Sequence, residues 1–126
     1  MTRGDCFLIR NDAVNDHLQI VISDPLVNSQ RVLIVSLTTF NDTKEDACLF
    51  NANEHPFIKH QSCIAYDFAK VTTSELLEQF RCEGMFIMQP PMSELQLKRI
   101  WNGAANSTRL KMDFADLLAE QGLIEI

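Results

Sequence analysis

Residues Arg31–Phe40 read "RVLIVSLTTF". The segment is near-continuously apolar at first and polar at its end, where Thr38 and Thr39 stand. Most of it is β-branched or aromatic, the side chains that fit a pleated, half-buried surface. It predicts a strand, and the segments around it predict its partners. Upstream, "DCFLIR" is a short strand with Phe7 and Ile9 on one face, and "LQIVISDP" is a strand stopped by Asp24-Pro25. Downstream, "NDTKED" reads as a turn, "ACLF" as a further short strand and "QSCIAYDFAKV" as another. In the last of these, alternation sets Cys63, Ala65 and Asp67 opposite Ser62, Ile64, Tyr66 and Phe68. The period-2 positions predict a core of Phe7, Ile20, Ile22, Leu33, Val35 and Ile64.

Helical signals come later. "TTSELLEQF" offers Thr72 as N-cap with Glu75 three residues on, the pattern of a capping box. "EGMFIMQP" predicts one more strand, stopped by Pro90-Pro91. "MSELQLKRIWNGA" repeats the capping pattern with Ser93 and Gln96, puts Leu97, Ile100 and Trp101 on one face, and has Gly103 suited to its end. In "STRLKMDFADLLAEQG", Leu110, Phe114, Leu117 and Leu118 recur at helical spacing, and Gly122 suits the stop. Strands followed by helices predict an α+β domain. So small a sheet is expected to bend strongly into a barrel, because a flat open one leaves its edges exposed.

The 126 residues fit a single domain, and 46 % apolar residues suffice for a core. No apolar run approaches the roughly 18 residues of a membrane span. The N-terminal apolar stretch is far shorter than the roughly 7–15 residues of a secretory signal, so none is expected. Cys6, Cys48, Cys63 and Cys82 form no C-x-x-C pair. Their apolar surroundings suit buried, reduced thiols in a cytoplasm. The net charge of −6 opposes non-specific nucleic-acid binding, which depends on Lys and Arg at phosphates, while leaving room for a local basic site.

The ordered set "GDCFLIR", "HLQIVISDP", "RVLIVSLTT", "IAYDFAKV" and "MSELQLKRI" resembles the PemK/MazF family of toxin proteins, over about Gly4 to Trp101. The tail from about 106 to 126 extends beyond a minimal family domain. The resemblance implies one SH3-like barrel domain across residues 1–126, homodimerisation, a bacterial or phage cytoplasm, and an antitoxin partner. It also implies metal-independent cleavage of single-stranded RNA, leaving a 2′,3′-cyclic phosphate and using no cofactor. The family's catalytic threonine carries over to Thr39 or its neighbour Thr38. The arginine of the family's Arg-Pro pair does not carry over, because His17-Leu18-Gln19 stands in its place.

Cleavage through the 2′-hydroxyl needs a base, an acid and a charge to stabilise the phosphorane. Histidine suits both proton transfers, its ordinary pKa being about 6.5. The candidate catalytic residues are therefore Thr39, His60, His17 and Arg31, with Thr38, Lys59 and Ser62 as candidate substrate contacts. Pro56 biases His55 towards an extended conformation. Five extended residues span at most roughly 17 Å, so without a turn His55 and His60 cannot serve one phosphate. His60 is expected to work with Thr39, Ser62 to offer a second hydroxyl beside it, and His55 to hold the loop. The plain alternative is that the threonines are strand formers and the histidines satisfy loop backbone. A metal site from His55, His60 and Asp67, with or without Cys63, lacks the tight spacing usual for zinc. The competing function is a non-catalytic interaction or RNA-binding module on the same scaffold, since fold alone does not choose.

Overall fold

A computed structural model describes residues 1–10, 17–26 and 29–125. The elements run β1 (Cys6–Ile9), β2 (Leu18–Val21), β3 (Arg31–Thr39), β4 (Leu49–Phe50), β5 (Ser62–Thr73), α1 (Ser74–Cys82), β6 (Phe86–Gln89), α2 (Glu94–Asn106) and α3 (Met112–Glu120). The six strands form one antiparallel sheet in the order β4-β5-β3-β2-β1-β6. The chain is therefore α+β, but the expected barrel is not closed. β4 and β6 are the two edges, and no ladder joins them among the described residues.

β3 is central, and both of its faces are buried. On one, Leu33, Val35 and Leu37 join Leu18, Ile20, Ile22, Ile64 and Tyr66 in the main core, which α2 and α3 cover with Leu97, Ile100, Trp101, Leu117 and Leu118. On the other, Val32 and Ile34 join Val21, Met1, Phe7 and Leu77 of α1 in a second cluster. All six predicted core residues are buried. Phe7 belongs to the second cluster, however, because β1 alternates and its neighbour Cys6 takes the main-core side. The two buried polar tips between α2 and the sheet are satisfied. The Tyr66 hydroxyl donates to Ile100 O at 2.6 Å, and Trp101 Nε1 donates to Ile22 O at 2.8 Å.

The β3–β5 ladder has a large irregularity. Ser36 pairs with Ala65, but Ile34 pairs with Lys70, so Val35 faces a four-residue segment of β5, Tyr66 to Ala69. Such a bulge bends the strand and re-aims its side chains. The expected alternation fails there: Tyr66 is buried, while Asp67 and Phe68 are both exposed.

The helix starts follow local chemistry. Ser93 and Gln96 form the expected capping box. At α1 the N-cap is Thr73 rather than Thr72, its hydroxyl accepting from Leu76 N at 3.1 Å, because β5 continues to Thr73. Gly103 lies inside α2 rather than at its end. A side chain there would collide with the Tyr66 hydroxyl and come within 2.7 Å of Cys48 Cβ, so the position needs its missing Cβ. Leu110 precedes α3 instead of belonging to it. Gly122, at φ +71°, follows α3 in the left-handed conformation that glycine adopts freely. No helix among the described residues is long and apolar enough to cross a membrane.

Candidate functional site

The polar end of β3 is the starting point. Thr39 pairs with Ser62 at the start of β5, and Phe40 N donates to Gln61 O at 3.1 Å. This pairing brings His60, just before β5, alongside Thr39, with Thr39 Oγ1 and His60 Nε2 at 2.7 Å. The hydroxyl donates when Nε2 is unprotonated and accepts when Nε2 carries the proton. Both residues are exposed to solvent. They open on a pocket of about 270 Å³ that is also lined by His17, Thr38, Lys59 and Ser62 over apolar Leu37, Phe57 and Ile58. Leu18 pairs with Leu37, and this register sets His17 beside Thr38.

Six of the seven candidate residues thus line one pocket, and Arg31 does not. It stands opposite Thr73 at the far end of β3, eight residues from Thr39. At strand rise that is about 26 Å, beyond the reach of its side chain. Ser62 lines the pocket but is buried, and its hydroxyl donates to His60 O at 3.0 Å. It fixes the backbone that carries His60 and is not a free second hydroxyl.

Of the two cations expected here, Lys59 lines the pocket, and a further lysine, Lys44, fastens the strand end. Asn41 opens the turn after β3, its side chain accepting from Thr43 N at 3.0 Å and its carbonyl from Lys44 N at 3.0 Å. The turn folds Lys44 back onto the strand end. Lys44 Nζ donates to Thr38 Oγ1 and to Thr39 O, each at 2.9 Å. The signal was present in the "NDTK" turn, which reverses the chain within lysine's reach of the two threonines.

His55 has a different task. It is 3 % exposed, with Nε2 at 2.6 Å from Pro90 O and Nδ1 accepting from Phe57 N at 3.1 Å. A carbonyl only accepts and an amide N–H only donates, so the ring carries its proton on Nε2. The same loop is fastened to α2. Arg99 spans the Glu54 carboxylate at 2.9 and 3.2 Å, and Gln96 Nε2 donates to Glu54 O at 2.5 Å. The Arg99 hydrogen bonds, with one from Asn51 N, hold the Glu54 carboxyl below its ordinary range.

Three cysteines are buried as expected, but Cys82, at the end of α1, is exposed. Burial pushes the Cys6 thiol up to about 12 and the Cys48 thiol to about 11, so neither is a nucleophile near neutral pH. Among the described residues no three His, Cys, Asp or Glu side chains gather to hold a metal ion. His55 and His60 are committed to separate partners. Comparison with known protein families and with curated proteins finds no match.

Proposed function

We propose that the chain is a PemK/MazF-like toxin-related protein that cleaves single-stranded RNA without a metal, through an active site in which histidine replaces the family arginine. The observation that carries this reading is the 2.7 Å contact between Thr39 Oγ1 and His60 Nε2, in a pocket shared with His17 and Lys59. A hydroxyl, two imidazoles and an ammonium around one solvent-open pocket supply the groups that 2′-hydroxyl attack requires. His60, oriented by Thr39, and His17 divide the two proton transfers. One removes the 2′-hydroxyl proton as that oxygen attacks phosphorus. The other protonates the 5′-oxygen as the P–O5′ bond breaks. Lys59 neutralises charge on the phosphorane, and Lys44 holds the strand end that carries Thr39 in place.

The order of strands and closing helix supports an SH3-like relationship, in which the bend of β5 takes the place of full closure. On this reading the protein acts in a cytoplasm as a homodimer and is held in check by an antitoxin. The half-exposed Ile87 and Met88 on edge strand β6 are available for chain–chain contact.

The test is end-group analysis of RNA incubated with the protein in EDTA. The reading expects 2′,3′-cyclic phosphate and 5′-hydroxyl ends, suppressed when Thr39 is replaced by Ala. Wild-type protein that binds RNA and leaves every strand intact would favour the non-catalytic module. Products bearing 3′-hydroxyl ends would overturn 2′-hydroxyl attack.

A further inference from the structure

A second, larger cleft adjoins the Thr39–His60 pocket. It occupies about 390 Å³ on the face of the sheet that carries Gln19, Ser36, Thr38 and Cys63. His17 and Thr38 line both spaces, so the two are neighbours. The mechanism proposed above leaves this cleft without a role. Its walls bear Lys44, Lys70 and Arg109, against the carboxylates of Asp67 and Glu45. Glu45 is already engaged, accepting from Ser107 Oγ at 2.6 Å and Thr108 N at 2.9 Å. That clamp ties the β3–β4 loop to the α2–α3 linker. Arg109, donating to Thr43 O at 3.3 Å, is thereby delivered from the C-terminal extension to the cleft. Three cations thus gather in a chain whose net charge is −6. The β5 bulge adds an aromatic: Phe68, 72 % exposed, stands at the cleft with no apolar cover.

We infer that this cleft is a nucleotide subsite for single-stranded RNA that also reaches the Thr39–His60 pocket. Phe68 stacks a base, and Lys70 and Arg109 take the adjoining phosphate. A cationic groove beside an exposed aromatic is the combination that holds unpaired strands. Asp67, next to Phe68 in the bulge, accepts from base N–H groups. The inference rests on the reading that the substrate is single-stranded RNA, but it does not need the chain to cleave.

The test measures binding apart from cleavage. The probe is a fluorescent 2′-O-methyl RNA of about ten nucleotides, a length within the span of such grooves. It lacks the nucleophile and cannot be cut. Anisotropy titrations compare wild type, Phe68→Ala, Arg109→Ala and His60→Ala. Phe68→Ala and Arg109→Ala should each weaken binding about 10-fold. Arg109→Ala should also flatten the slope of log K against log salt by about 0.7, while Phe68→Ala leaves the slope unchanged. On a cleavable RNA of the same length, Phe68→Ala should raise KM and alter kcat less than about twofold. Phe68 is too exposed for its loss to unfold the chain. Wild type that binds but never cuts, with both variants weakened, would support the subsite while ending the ribonuclease reading. Wild type that cuts, with both variants binding unchanged, would overturn the subsite and spare that reading. Wild-type affinity weaker than the roughly 10⁻⁴ M of non-specific contacts would overturn the subsite.

Discussion

The two histidines of the stretch Glu54–His60 differ because their neighbours differ. His60 lies in solvent with one hydroxyl partner, so its removal leaves no buried group unpaired. His55 is buried with both nitrogens occupied, one on Pro90 O and one on Phe57 N. Replacing His55 by Ala leaves a carbonyl and an amide to find new partners. It should cost about 1–3 kcal/mol, the usual penalty for orphaning buried polar groups. Urea denaturation of His55→Ala against wild type reads this directly, and an unchanged midpoint would mean that the ring holds nothing. The sequence separated the two roles on the premise of an extended segment, but a turn closes it, Ile58 N donating to His55 O at 2.9 Å, and the rings are kept apart by their different partners. It could not show which atoms each ring meets, because Pro90 comes to His55 from 35 residues away.

At the scale of elements, α2 is the strut against which the loop and the sheet are set. Its capping box starts it, and Trp101 and Ile100 tie it to Ile22, just after β2, and to β5 through backbone carbonyls. Gly103 allows the close approach. Gly103→Ala should destabilise the fold by about 2–3 kcal/mol, since overpacking forces backbone shifts in a rigid interior. Thermal melting should show a clear drop, and an unchanged melt would mean that α2 does not pack this closely. The loop is fixed to the same helix by Glu54 and Arg99. Because the folded pKa of Glu54 is lowered, its contribution is complete above the unfolded value, about 4.3, and is lost as pH falls through the folded one. Stability should therefore decline as pH falls below about 5, and less steeply in Glu54→Gln. Parallel slopes in urea titrations of the two proteins would remove Glu54 from the acid response. Sequence pattern marked α2 and its cap, because both signals are local. It misplaced Gly103, because glycine commonly stops helices and its contact with Tyr66 is long-range. It also missed the β5 bulge, because Asp67 in "AYDFAK", a poor strand former, still fits an unbroken polar–apolar reading.

For the molecule as a whole, two buried layers leave one polar strand end, and that end holds the candidate site. The strands, the turn after β3 and the closing helices were legible because apolar period and turn chemistry are written locally. Arg31 was grouped with Thr39 as a positive charge for the phosphorane, but a strand nine residues long separates its ends rather than joining them. Lys44 was marked only by the turn that carries it, and Arg109 was illegible as a site residue, since it depends on a clamp 62 residues apart in sequence. Long-range charge also matters here. An acidic chain attracts an anionic polymer only through its local cations, so any RNA binding should weaken steeply with salt. The most direct measurement is the single-turnover rate of cleavage of a mixed-sequence single-stranded RNA in EDTA, for wild type, His60→Ala and His55→Ala side by side. With rates corrected for the folded fraction, His60→Ala should be slower by about 10²-fold or more, in line with the loss of a general acid or base, and His55→Ala should match wild type. Equal rates for wild type and His60→Ala, or no cleavage by wild type at all, would contradict a catalytic role for the Thr39–His60 pair.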